Sequence, residues 1–177
     1  RTIRHGKVTP KMKNMYMAVL KGHLNLAASV FKEGCSGVAI DYNARQPLWD
    51  LGLDYNHGTG HGVGYLLSVH EPPNAIRYRI LPDNQFNPVF KEGMITSNEP
   101  GVYLEGEFGI RIENLVLCEK KEKNQWGTFL CFKPLTLVPY DRELNYHKMV
   151  YEMISPYLTL EEKIWLRDTV KGGNSSK

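Results

Sequence analysis

The stretch His57-Gly58-Thr59-Gly60-His61-Gly62-Val63-Gly64 decides how this 177-residue chain reads. Glycines lie between and just after its two imidazoles. Glycine has no Cβ and tolerates positive φ, so the backbone is expected to press close to whatever the imidazoles hold. That is the pattern of a ligand loop, and a third histidine, His70, follows it. Downstream, Ser97-Asn98-Glu99-Pro100-Gly101 and Gly109-Ile110-Arg111-Ile112-Glu113-Asn114 each set one carboxylate in an apolar, strand-like context. His61, Glu99 and Glu113 together present the donor set of a catalytic divalent site suited to Mn, Zn, Co or Fe, and a carboxylate bridges two ions where an imidazole cannot. Spacing alone leaves a second reading open: a glycine-rich structural turn with two paired carboxylates, Arg111 being an available partner for Glu113 on the same strand face.

Composition narrows the class. With 42% hydrophobic and 23% charged residues, the chain fits one compact domain or a large piece of one. A net charge of +3, with the basic residues scattered, points to no nucleic-acid partner and no anionic membrane. Cys35, Cys118 and Cys131 are odd in number and lack C-x-x-C spacing, which argues against a disulfide framework and a structural zinc, and for a reducing cytosol. No apolar run approaches the roughly 18 residues that span a bilayer. The first residues carry no signal-peptide core. A cytoplasmic location is therefore expected. The chain opens without methionine, within what reads as the end of a strand, so the natural product is expected to start further upstream.

Working outward from the loop, Thr9 and Pro10 open a helix whose apolar stripe runs Met12, Tyr16, Val19, Leu20, His23, Leu24, Ala27, Phe31 and ends at Gly34. His23 lies on that stripe and reads as a packed, hydrogen-bonded histidine rather than a ligand. A second helix is expected after Ser36, ended or kinked by Pro47. Past His61 the pattern changes to short strands: Tyr65 to Val69, Met94 to Glu99 with a continuation through Leu104, and Ile110 to Cys118, entered by a hairpin turn at Glu105-Gly106-Glu107-Phe108-Gly109. The last of these reads as a single strand buried on both faces. Lys120 to Gln125 reads as a solvated hairpin tip before a strand from Trp126 to Phe132. Thr159 with Glu162 three residues on forms a capping box for a final helix, and the glycine- and serine-rich end reads as a frayed tail.

The order of the motifs carries a resemblance. His57-Gly58-Thr59-Gly60-His61-Gly62-Val63-Gly64, then Val69-His70-Glu71-Pro72, then Ser97-Asn98-Glu99-Pro100-Gly101, then Gly109-Ile110-Arg111-Ile112-Glu113-Asn114 resembles the creatinase and methionine aminopeptidase superfamily, and within it the Xaa-Pro aminopeptidases. The match runs over essentially the whole chain. Phe132-Lys133-Pro134-Leu135-Thr136-Leu137-Val138-Pro139 is similar to the end of the three-domain cytosolic members. The fold implied is α+β: the second half of a pita-bread fold, a curled mixed or antiparallel sheet with flanking helices. Residues 1–140 would form the carboxyl-terminal part of the catalytic domain and 141–177 a carboxyl-terminal extension with a terminal helix.

The resemblance also implies roles. His61 and Glu99 would bind one metal, Glu113 would bridge two, and Glu99 would serve as general base. His57 and His70 match catalytic, substrate-binding histidines of the cleft, and Arg111 the residue that orients a carboxylate ligand. The implied cofactor is manganese, two divalent ions in the intact enzyme, with zinc or cobalt possible. The implied substrate is a peptide with proline second, and the implied assembly a homodimer. The family's site also takes two aspartates from an upstream hairpin, and neither is present here. Asp41, in the second helix, cannot replace them within this fold. The chain alone is therefore expected to be inactive or nearly so. Two other readings stand beside this one: a prolidase acting on Xaa-Pro dipeptides, and a non-catalytic pita-bread module that binds peptides or proteins.

Overall fold

A computed structural model describes residues 2–66, 68–80, 89–141 and 158–164. Helix α1 (Pro10–Ala27) begins where the sequence predicts. The Thr9 hydroxyl accepts from Met12 N at 3.2 Å, and Pro10 occupies the first turn, where no backbone N–H is needed. It stops short of Phe31, because Val30–Lys32 leaves the helix to form β1, paired with Phe129 to Cys131. Helix α2 (Gly37–Trp49) follows Ser36 and runs through Pro47, which falls in its last turn. The helices meet closely: a Cβ on Gly22 would lie 2.0 Å from the Ala44 carbonyl oxygen.

The strands are β2 (Gly60–His61), β3 (Ala75–Ile76), β4 (Ile95–Asn98), β5 (Gly101–Leu104), β6 (Phe108–Arg111), β7 (Asn114–Asn124) and β8 (Gly127–Pro134). Four of them form an antiparallel sheet in the order β1-β8-β7-β4. A bridge between Gly62 and Thr96 sets β2 against the free side of β4, and β3 pairs with β2. β5 and β6 form a separate two-stranded ribbon. Every strand pairing among the described residues is antiparallel, so the architecture is α+β as expected, without the mixed pairing that the expectation allowed.

Two apolar clusters hold the layers together. Tyr16, Val19 and Leu20 of α1 pack with Leu48, Tyr55, Val102, Ile110 and Ile112 beside the ribbon. Leu26, Ile40 and Ala44 join Phe31, Phe90, Val116, Cys118, Leu130 and Phe132 on the larger sheet. His23 is fully buried between α1 and the sheet, its Nε2 3.1 Å from the Tyr140 hydroxyl, as a packed core histidine should be.

Several expectations need correction. Tyr65, Leu66, Ser68 and Val69 hold no strand, Leu67 between them lying outside the described residues: Gly64 N donates to Ser68 O at 2.8 Å, and Tyr65 and Leu66 are exposed. Ile110 to Cys118 is two strands, broken at Ile112 and Glu113, where the chain passes from the ribbon to the larger sheet. That segment buries one face only. Ile110, Ile112, Val116 and Cys118 are buried while Arg111 is exposed and Leu115 and Leu117 are half-exposed. Lys120 to Asn124 extends β7 rather than forming the hairpin tip, because β8 pairs with it to its end, past a bulge between Lys120 and Glu122. Trp126 consequently sits in the turn. Residues 2–8 hold no strand, although Gly6 turns with φ 86°. At the carboxyl end, Thr159 and Glu162 form the expected capping box, the Glu162 carboxylate accepting from Thr159 N at 2.8 Å. Residues 142–157 and 165–177 of the proposed extension, Trp165 and the tail included, lie outside the described residues.

Candidate metal centre

The break between ribbon and sheet builds the site. β4 runs into β5 through Glu99 and Pro100, and β6 runs into β7 through Ile112 and Glu113. Asn98 pairs with Asn114 and Gly101 with Arg111, so the two interruptions lie side by side. Pro100, which has no N–H, helps end the ladder there, while its carbonyl accepts from Ile112 N at 3.3 Å. Both carboxylates thus emerge at one fork. β2 brings the third group: Thr59 O accepts from Glu99 N at 2.8 Å and His61 N donates to Ser97 Oγ at 2.9 Å. Ligand atoms of His61, Glu99 and Glu113 lie within 4.8 Å of one another, the one such group among the described residues.

The surroundings prepare these atoms for a cation. The Nδ1–H of His61 donates to Gly62 O at 2.9 Å, which leaves Nε2 facing the carboxylates, 3.0 Å from Glu99 Oε1. Ser97 Oγ donates to the same oxygen at 2.9 Å, and Arg111 Nη1 holds Oε2 at 3.2 Å. Glu99 is buried. One imidazole and two carboxylates, gathered and already oriented by hydrogen bonds, fit a divalent ion of the borderline kind.

His57 and His70 fall in different places. His70 lies against His61, ring centroids 4.0 Å apart. His57 stands on the ribbon side, its ring tilted against Tyr55 at 4.7 Å and its Nε2 3.0 Å from the Tyr103 hydroxyl. The Nδ1–H of His57 donates to Gly58 O at 2.8 Å, so Nε2 accepts from Tyr103. Arg111 Nε in turn donates to Tyr103 at 2.5 Å, completing a path from Glu99 to His57. Burial lowers the His57 pKa, the Gly58 carbonyl opposes, and the Arg111 and Arg45 charges reinforce the lowering against Glu99. Sequence reasoning named every residue of this path but Tyr103, which strand alternation makes indistinguishable from any exposed strand tyrosine.

The ligand-loop glycines act differently from expectation. None of Gly58, Gly60, Gly62 and Gly64 has positive φ. Close approach to other backbone is what Gly60 and Gly62 provide. A Cβ on Gly60 would fall 2.0 Å from Ser97 O, and one on Gly62 2.0 Å from Glu71 O.

Comparison with known proteins agrees with this geometry. The model of metallopeptidase family M24 matches residues 1–120. A probable Xaa-Pro aminopeptidase P of Botryotinia fuckeliana is 45% identical over 95% of the chain, and Xaa-Pro aminopeptidase 2 of Sus scrofa is 39% identical over 94%. The chain spans only 24% and 27% of their lengths. Among solved structures, an X-prolyl aminopeptidase of Caenorhabditis elegans, described as a cytosolic enzyme with a di-nuclear active site, matches with TM-score 0.73 and 33% identity over 97% of this chain and 30% of that one. A prolidase of Pyrococcus horikoshii matches with TM-score 0.63 and 33% identity over 78% of this chain and 35% of that one. The fold is that of the pita-bread enzymes, with its sheets left open. By its motifs, its fold and the extent of these matches, the chain belongs to metallopeptidase family M24.

Proposed function

We propose that the chain is the carboxyl-terminal part of the catalytic domain of a manganese-dependent aminopeptidase that releases the N-terminal residue from peptides with proline second. The observation that carries the reading is the convergence of His61, Glu99 and Glu113 within 4.8 Å. Bound divalent ions, manganese first and zinc or cobalt as substitutes, supply Lewis acidity to a scissile carbonyl and acidify water. Glu99 is the general base, held by Arg111 on one oxygen and by Ser97 on the other. His57, held neutral by burial, and His70 hydrogen-bond the peptide, and Tyr103 and Arg111 keep His57 in the tautomer that accepts at Nε2.

With three of the family's ligands, this chain alone holds one ion weakly, and the aspartates belong to upstream sequence. The location is cytoplasmic and the working form a homodimer. The cytosolic description of the Caenorhabditis elegans neighbour supports the first, and no helix among the described residues is long and apolar enough to cross a membrane.

A prolidase is the competing reading, favoured by the archaeal structural match. Coverage favours the aminopeptidase: its structure accounts for 97% of the chain and the prolidase for 78%. The deciding experiment is an assay with added Mn²⁺ on Xaa-Pro dipeptides and longer Xaa-Pro peptides, using the chain and a version extended upstream. The extended protein should cleave longer peptides and the short chain should barely turn over. Turnover by the short chain would refute the incomplete site, dipeptide-only activity would establish the prolidase, and metal binding without turnover by the extended protein would leave a binding module.

A further inference from the structure

Helix α2 carries a buried ion pair that no motif announces. Asp41 and Arg45, one turn apart, are 1% and 3% exposed. Arg45 Nε donates to Asp41 Oδ2 at 2.6 Å. Its other hydrogen bonds reach one loop: Nη1 to Asp54 Oδ1 at 2.6 Å and Tyr55 O at 2.7 Å, and Nη2 to His57 O at 3.1 Å. The Tyr55 ring lies 3.9 Å under the guanidinium. Asp41 Oδ1 accepts from the Thr59 hydroxyl, and the Tyr55 hydroxyl lies 2.6 Å from the same Thr59 oxygen.

A buried ion pair contributes little net stability compared with apolar groups of the same shape, so stability alone is a poor account of it. Direction is what an arginine supplies, because its planar guanidinium fixes several donors at set angles. The three Arg45 hydrogen bonds beyond Asp41 all fall between Asp54 and His57, and Asp41 fixes Thr59. The loop they hold ends where the metal centre begins. Thr59 O takes Glu99 N, the His57 ring rests on Tyr55, and His61 is two residues beyond Thr59.

We propose that Arg45 is a positioning residue for the metal centre: together with Asp41 and Thr59 it sets the 54–61 loop so that His61 meets Glu99 and His57 meets Tyr103. None of the three touches metal or peptide, and the inference rests on the metallopeptidase reading of the site. A lysine keeps the charge but has no planar set of donors, so Arg45→Lys leaves the pair and releases the Tyr55 and His57 carbonyls. Thr59→Val removes only the hydroxyl at the far end of the network, and Thr59→Ser keeps it.

The test measures Mn²⁺ affinity of the chain and these variants by electron paramagnetic resonance of free Mn²⁺, at a temperature where circular dichroism shows each folded. Arg45→Lys and Thr59→Val should each weaken binding about tenfold or more, the loss typical of groups that orient metal ligands. Thr59→Ser should bind as the unaltered chain does. Should Arg45→Lys fail to fold, the valine and serine pair decides alone. Equal Mn²⁺ affinity in Thr59→Val and the unaltered chain would overturn the inference while leaving the metallopeptidase reading intact. No Mn²⁺ binding by the unaltered chain would overturn both.

Discussion

At the scale of single residues, His57 shows what the surroundings of a side chain add to its identity. Burial, with Arg111 and Arg45 nearby, disfavours its imidazolium, against the pull of Glu99 and the Gly58 carbonyl. The ring is therefore neutral near pH 7, accepting at Nε2 from Tyr103, whose hydroxyl is itself fixed by Arg111. The folded-state pKa lies below that of an unfolded histidine, about 6.5. Above that value neither state binds the proton and the ring contributes nothing to pH dependence. As pH falls through it, the unfolded state gains the proton first and stability drops until the folded-state pKa is passed. Metal-free NMR titration of ring signals should place the His57 midpoint under that of an unstructured histidine, and His57→Gln should lose less thermal stability between pH 7 and 5 than the unaltered chain. A midpoint at or above the unstructured value would refute the assignment. The motif supplied His57, Glu99, Glu113 and Arg111 because each stands at a fixed offset in a short run. Tyr103 and Arg45 escaped because what matters in them is a partner distant in sequence, and one chain read by itself carries no record of such pairing.

At the scale of elements, the glycine-rich loop was legible as a place of close backbone approach, and the positive φ its glycines tolerate is not used. Its glycines admit β4 and the segment around Glu71, and the strand geometry they permit is ordinary. Substitution should separate the two accounts. Gly58→Ala places its methyl 3.5 Å from Ile76 O, an ordinary contact, whereas Gly60→Ala would place one 2.0 Å from Ser97 O. Since Ser97 O is backbone, β2 must move away from β4. The expected cost is ~1–3 kcal/mol or more in urea unfolding for Gly60→Ala, against under about 1 kcal/mol for Gly58→Ala. Mn²⁺ affinity should fall with the former alone, because His61 travels with β2. Equal effects of the two alanines would return the loop to a conformational role. The remaining element-level errors share one cause. Tyr65, Leu66, Ser68 and Val69 are of strand-like sequence but form no strand, and Ile110 to Cys118 has continuous alternation but changes sheets at Glu113. Local periodicity reports which face is buried and is blind to which neighbour buries it.

For the whole molecule, stability should be divided as unevenly as the packing. β7 and β8 pair along their length, and Val116, Cys118, Leu130 and Phe132 close against Phe31 and Phe90. The β5–β6 ribbon is four residues long on each strand, pairs with no third strand among the described residues, and is supported on one face by α1 through Val102 and Ile110. A two-stranded ribbon is marginal without such support, and its outer edges invite another strand. Part of the β6 edge is already occupied: the Thr2 hydroxyl accepts from Arg111 N at 3.0 Å and donates to Arg111 O at 2.6 Å, standing in for a strand beside the proposed metal centre. If upstream sequence completes the domain as proposed, it covers this ribbon and not the β7–β8 pair. Amide hydrogen exchange should then rank the β5–β6 amides as the least protected strand amides of the chain and Val116, Cys118, Leu130 and Phe132 as the most. Extending the chain upstream should raise protection of the ribbon selectively. A rise in ribbon protection with protein concentration, in the short chain, would assign the open edge to a second copy instead. Unchanged ribbon protection under both conditions would refute the placement of upstream sequence against the β5–β6 ribbon.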